Sequence, residues 1–252
     1  MFVVHDHRVQ LAGERLPRDV RAAGVLALDA EGARFDVPDV HTVYGTLLND
    51  RRALAALDES FHAAPYHHPP QAPILYVKPR NTLVGHGARV RVPAGATGVR
   101  VGASLGIVLG RVACHIDVAH ALDYVAGFTP VADLSVPHAS WFRLPPRDVI
   151  ADGFCVVGPA IVAARDVANP NAVTLDVSLG AHRVYSASTA TCVRGVARLL
   201  ADVTEFMTLV PGDVLTLGVP WGAPVAHAGD RVGIEVQGWP PLRFQLAAGV
   251  AA

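Results

Sequence analysis

Lys78-Pro79-Arg80-Asn81 sets two cations and an amide at the end of an apolar run, Ile74 to Val77. Such a group can hold a carboxylate, and arginine does so with a two-pronged fork. Arg143 follows Trp141-Phe142, an apolar anchor able to aim its guanidinium into a cleft. Lys78, Arg80 and Arg143 are therefore candidate carboxylate holders, with a solvated surface as the alternative for the same residues. Lys78 is also the only lysine in the sequence.

Other reactive side chains carry less. His115 and His120 are five apart, whereas metal pairs on a helix use spacings of three or four that place both rings on one face. His67-His68 lies in a proline loop without identifiable partners, and His5-Asp6-His7 sits at the chain start. Ser135 and His138 lie near Asp133, but a nucleophile triad needs a serine on a strained strand-to-helix turn beside an oxyanion hole. Neither Ser135 nor Ser104 of Gly102-Ala-Ser-Leu-Gly106, inside a β-branched run, reads as such a turn, which argues against a serine hydrolase. Cys155, inside Phe154-Cys-Val-Val-Gly158, reads as a small buried hydrophobe. No G-x-G-x-x-G follows a strand, so a dinucleotide site is unsupported. No residue is singled out as the catalytic group.

The chain has 252 residues, 51% of them hydrophobic and 17% charged, enough apolar material for one large domain or a domain with a small appendage. Its 21 basic and 22 acidic residues nearly cancel, which disfavours nucleic acid and anionic membranes as partners. The longest uncharged stretch, Val214 to Gly229, is broken by Pro220, Gly222 and Pro224 and is too short to span a bilayer. Three scattered cysteines and no visible secretory signal place the chain in the cytoplasm.

The elements that must position these groups are mostly strands. Residues 1–43 alternate short apolar runs with turns, as a small strand-rich appendage would. From Asn49 the period becomes helical, with Leu54, Leu57 and Phe61 on one face and Asn49 or Asp50 as the cap. Four prolines in Ala64 to Pro73 predict an extended loop. Ile74 to Val77, Val90 to Val92 and Val99 to Gly110 read as strands. Helices are expected at Val118 to Ala126, with Gly127 as its exit, and at about Thr191 to Phe206, capped by Ser188 or Thr189. Two Gly-Asp turns, Gly212-Asp213 and Gly229-Asp230, each feed an apolar strand. Strands dominate and helices are few, so the class is α+β around a mixed or antiparallel sheet.

Six segments in order resemble the fumarylacetoacetate hydrolase family: Lys78-Pro-Arg-Asn-Thr, Leu105-Gly-Ile-Val-Leu-Gly-Arg111, Asp123-Tyr-Val-Ala-Gly-Phe-Thr129, Ala132-Asp-Leu-Ser135, Asp152-Gly-Phe-Cys-Val-Val-Gly-Pro159 and Pro211-Gly-Asp-Val-Leu-Thr-Leu-Gly218. The resemblance covers residues 44–252. It implies a mixed β-roll core with a few short helices. It also implies a divalent cation, usually Mg2+, that chelates a 2-oxo acid and stabilises an enolate, hence lyase or isomerase chemistry on a small oxo-tricarboxylate of aromatic catabolism. An oligomer is implied too, either of identical chains or with a sister family subunit.

The same resemblance exposes departures. The family's metal site uses a Glu-x-Glu pair and a later aspartate; here these positions are Gly102, Ser104 and Asp133. A lysine of the family falls on Val149, and a histidine falls near Ala53. One carboxylate and a hydroxyl make a poor octahedral oxygen cage, so weak metal binding or none is expected at Asp133. The resemblance leaves two functions open: an active subunit, or a catalytically silent partner of a metal-bearing sister. An acylpyruvate-type carbon-carbon hydrolase ranks last, because it needs the same metal.

Overall fold

The computed structural model describes residues 40–64, 67–138 and 144–249, together with the backbone of two short strands near the amino terminus. Those strands, β1 (Gln10–Leu11) and β2 (Glu14–Arg15), pair antiparallel. Apart from residues 40–43, the last of which already opens a strand of the main body, the rest of the expected appendage lies outside the described residues, as does Arg143. No helix among the described residues is long and apolar enough to cross a membrane.

In chain order follow β3 (Val43–Leu47), helices α1 (Arg51–Ala56) and α2 (Asp58–His62), then β4 (Ile74–Lys78), β5 (Leu83–Val84), β6 (Arg89–Val92), β7 (Val99–Leu109) and β8 (Val125–Ser135). After α3 (Pro146–Val149) come β9 (Cys155–Val157), β10 (Val162–Ala163), β11 (Thr174–Leu179) and β12 (His182–Ser188). Helix α4 (Val196–Thr204) precedes β13 (Val214–Thr216), β14 (Val225–Ala226), β15 (Arg231–Glu235) and β16 (Leu242–Ala248).

The strands form two large mixed sheets. One runs β4-β3-β13-β7-β8-β9-β5, with β10 beside β8 and β14 beside β7; the other runs β12-β11-β15-β16-β6. Pairs β13–β3, β5–β9 and β16–β6 are parallel and the others antiparallel. The expected α+β class with a mixed roll is the fold observed.

Strands β7 and β8, each eleven residues long, are the spine, paired from Arg100–Ser135 to Leu109–Val125. Period-two alternation gives each strand two faces. Val101, Ala103, Leu105, Ile107 and Leu109 enter the main core with Leu199, Leu200 and Val203 of α4 and Val177 and Ile234 of the second sheet. The opposite face of β7 carries Arg100, Gly102, Ser104 and Gly106, and this face bears the site.

Three helix expectations need correction. Leu54 and Phe61 lie on two short helices rather than one, with Leu57 the turn residue between them and Asp50 as the cap of the first, its Oδ1 accepting the Arg52 N–H at 2.9 Å. Val118 to Tyr124 is a 3-10 segment, and Val125 and Ala126 already belong to β8. Gly127 is not a helix exit but a strand residue whose missing side chain lets β10 approach, since a Cβ there would collide with the Val162 backbone. The last helix begins only at Val196, because its first free amide is capped from afar by Asn171 Oδ1 at 2.8 Å.

Candidate active site

Lys78 closes β4 and Asp133 lies on β8, four strands away in the sheet order. At about 4.8 Å per strand a flat sheet would hold their backbones roughly 19 Å apart. Lys78 Nζ nevertheless lies 2.6 Å from Asp133 Oδ1, and both side chains are buried. The sheet therefore curls until its β4 edge faces β8 and β9, and the residues of one face become the lining of a half-closed roll.

Lys78 spends its donors on the protein. Besides Asp133, its ammonium reaches the carbonyls of Val149 at 2.8 Å, Leu134 at 2.9 Å and Phe154 at 3.2 Å. Three protons serve four acceptors, so the buried ammonium has protein partners in place of water. The second oxygen of Asp133, Oδ2, accepts the phenol of Tyr76, two residues before Lys78 on the same face of β4. Burial first, then the negative charge of Asp133, raises the Tyr76 phenol well above its usual range, so it stays protonated.

A glycine makes room for that tyrosine. Gly45 on β3 is the direct cross-strand partner of Tyr76. A Cβ at Gly45 would overlap the aromatic ring, coming within 2.6 Å of Cε1. The ring thus lies flat over β3 and points its hydroxyl at Asp133.

Tyr76 and Asp133 line a cleft of about 360 Å3 with Arg100, Ser135, His138 and Trp221. One wall is the loop Val219–Ala223, which is clamped from two elements. Asp50 Oδ2 accepts the Trp221 N–H at 2.6 Å, and Tyr185 of β12 donates its hydroxyl to the Trp221 carbonyl at 2.6 Å. Arg52 donates to both clamps, to Tyr185 Oη at 3.0 Å and to Asp50 Oδ2 at 3.3 Å.

The expected carboxylate holders separate. Lys78 is turned into the protein. Arg80 is exposed and lies outside the cleft lining. Asn81 pins the turn before β9, donating to Ile150 O and Asp152 Oδ1, each at 2.9 Å. Sequence reasoning missed Arg100, although alternation along β7 places it on the face shared by Gly102 and Ser104. It also missed Tyr76, whose signal was its position two residues before Lys78.

Cys155, directly across from Asp133 on β9, is fully buried, and burial pushes its thiol up to about 12. It is the small hydrophobe the sequence implied.

Residues 42–247 match the family described as fumarylacetoacetate (FAA) hydrolase C-terminal. The chain belongs to this family. It is 33% identical over 201 residues to the 4-hydroxyphenylacetate degradation bifunctional isomerase/decarboxylase of Escherichia coli, covering 80% of this chain and 46% of that protein. The chain thus spans about half the length of that relative. Among solved structures it resembles 2-hydroxyhepta-2,4-diene-1,7-dioate isomerase from Mycobacterium marinum, with a TM-score of 0.71 at 26% identity, covering 86% of this chain and 79% of that one. The fold is also shared by a maleylpyruvate hydrolase from Sphingobium sp. SYK-6 in complex with manganese (II) ion and pyruvate, with a TM-score of 0.71 at 22% identity over 86% of this chain and 74% of that one.

The divalent ion that the family implies does not fit the residues present. Both oxygens of Asp133 are already engaged. Gly102 faces Asp133 across the β7–β8 ladder without a side chain, and Val219 packs into the space a Cβ would need. Ser104, 2% exposed, offers only a neutral hydroxyl, which has no hydrogen-bond partner among the described residues. Among the described residues no group of three histidine, cysteine or acidic side chains could hold a metal.

Proposed function

We propose that this chain is a subunit of the cytoplasmic enzyme that decarboxylates 5-carboxymethyl-2-oxo-hex-3-ene-1,7-dioate and isomerises the product, 2-hydroxyhepta-2,4-diene-1,7-dioate, in 4-hydroxyphenylacetate catabolism. The observation that carries the reading is the match to one half of a two-function relative of that pathway, combined with a cleft that retains Asp133. Its ligand is a small polycarboxylate. Arg100 at the cleft, together with Arg143, would oppose the carboxylates. Burial lowers the Arg100 pKa, and a charge so desolvated gains most from an anionic ligand.

The length relation supports a second family domain as the working partner, supplied by a sister subunit or another copy of this chain. A catalytically silent role beside a metal-bearing sister is the second reading, favoured by Val219 filling the space opposite Asp133.

The test follows the ultraviolet absorbance of the tricarboxylate and of the dienol with the purified chain, alone and with a sister subunit. Consumption of either compound by the chain alone supports the enzyme. Loss of activity only when the sister is withheld, with none from this chain, supports the silent partner.

A further inference from the structure

We propose that Lys78 is the resident cation of this cleft, its ammonium holding Asp133 where a divalent ion would otherwise sit, and that Tyr76 offers its phenol oxygen to the hydroxyl of an enol ligand. The second half rests on the isomerase reading above; the first does not.

The cation half follows from occupancy and charge. Asp133 brings one negative charge and Lys78 one positive charge at 2.6 Å, so the pair is neutral before any ion arrives. Three backbone carbonyls fix the ammonium from behind, at 2.8, 2.9 and 3.2 Å. An incoming dication would have to displace Lys78 from four partners and take Asp133 from Tyr76. It would gain in return no second carboxylate, because the position across the ladder is Gly102, where a Cβ would stand 2.7 Å from the Asp133 carbonyl oxygen.

The ligand half follows from hydrogen-bond direction. Asp133 has only acceptors and Lys78 only donors, all engaged, so Tyr76 must give its single proton to Asp133 Oδ2. The phenol oxygen keeps a lone pair, and Tyr76 lines the cleft. The ligand atom that meets it is therefore a donor. A ketone oxygen or a carboxylate meets two facing lone pairs there, whereas the hydroxyl of a 2-hydroxy-2,4-dienoate completes the chain.

The same chain moves a proton with its atoms balanced. The enol O–H bond breaks and its proton passes to Tyr76 Oη, as the tyrosine proton passes to Asp133 Oδ2. The carbon-oxygen double bond forms, and the displaced π electrons take a proton at the far carbon from a water molecule, leaving hydroxide. Asp133 then returns its proton through Tyr76 to that hydroxide. The net change is dienol to ketone, with no metal and no redox partner.

Because Lys78 is the only lysine, selective 13Cε labelling yields a single lysine resonance that reports from beside Asp133. Titration of the full chain with MnCl2 should leave that resonance sharp. Broadening in the wild-type chain that disappears in Asp133→Asn would overturn the resident cation. In a second arm, decay of 2-hydroxyhepta-2,4-diene-1,7-dioate absorbance is followed in EDTA with the wild-type chain and Tyr76→Phe. The resonance, unmoved in the variant, verifies that its site is folded. The proposal expects acceleration by the wild type and a loss of tenfold or more in the variant, with equal rates in the two removing the tyrosine. Acceleration that needs added Mg2+ overturns the proposal as a whole. A wild-type chain that neither binds nor accelerates the dienol removes the isomerase reading and the role of Tyr76 with it, while the Mn2+ result stands separately.

Discussion

Lys78 and Asp133 meet at 2.6 Å although β3, β13 and β7 separate their strands in the sheet. A contact between distant members of one sheet reports its curl, and here the curl and the chemistry depend on the same pair. Both groups are almost out of water, so each is tolerable only because the other is present.

Removing one partner should therefore cost far more than an exposed ion pair would. Lys78→Met or Asp133→Asn alone is expected to lower unfolding free energy by about 3–5 kcal/mol. The double variant should lose clearly less than the sum, because neither charge is then stranded. Urea denaturation of the four proteins checks this, and additive losses would show that the groups do not act as a pair.

Gly45 and Tyr76 form the second dependency. Gly45→Ala puts a methyl group into the tyrosine ring and should destabilise by about 1–3 kcal/mol through overpacking. Activity should fall with it, since the ring must turn its hydroxyl away from Asp133. The combined variant Gly45→Ala/Tyr76→Leu should recover stability without recovering activity, as thermal melting and dienol assays on the two proteins would reveal.

Much of this fold is legible in the amino-acid sequence. The strand at Val99 to Gly110, the Gly-Asp turns and the family segments all follow from local pattern, and these are decided by neighbours in sequence. Asp133 is reachable through resemblance. The direction of the Lys78 side chain is not, because a cation ending an apolar strand reads the same whether it faces solvent or the inside of a curled sheet. Gly45 gives no signal for a similar reason, since its partner lies on another strand. The late start of α4 escapes local reading because its cap, Asn171, is 25 positions upstream.

His86 supplies a pH dependence. The residue is 7% exposed, with Nδ1 accepting the Arg243 N–H at 3.3 Å. Burial, more than the nearby Arg243 charge, lowers its pKa to about 4. The unfolded chain, with a histidine pKa near 6.5, binds more protons than the folded one between those values, so stability rises with pH across that window. His86 contributes fully above about pH 6.5 and loses about 2–3 kcal/mol as pH falls toward 4. Denaturation midpoints between pH 4 and 7 should show this slope in the wild-type chain and a flatter one in His86→Asn.

Reactivity separates the three thiols and the one lysine. Cys114 is exposed, while burial pushes both the Cys155 and the Cys192 thiols up to about 12. Under native conditions a thiol reagent should modify Cys114 first, with Cys155 and Cys192 following only on unfolding. An amine reagent should likewise spare Lys78 until denaturant is added. Peptide mass spectrometry of the two states reads all four sites at once, and early labelling of Lys78 would contradict its inward position.

Whether Lys78 holds the place of a divalent ion is tested most directly by an anomalous difference map from crystals of the chain grown in millimolar MnCl2. A resident lysine predicts no manganese peak in the cleft, with Lys78 Nζ still against Asp133 Oδ1 and the Tyr76 hydroxyl on Oδ2. A peak bonded to Asp133, with the lysine displaced, would contradict it.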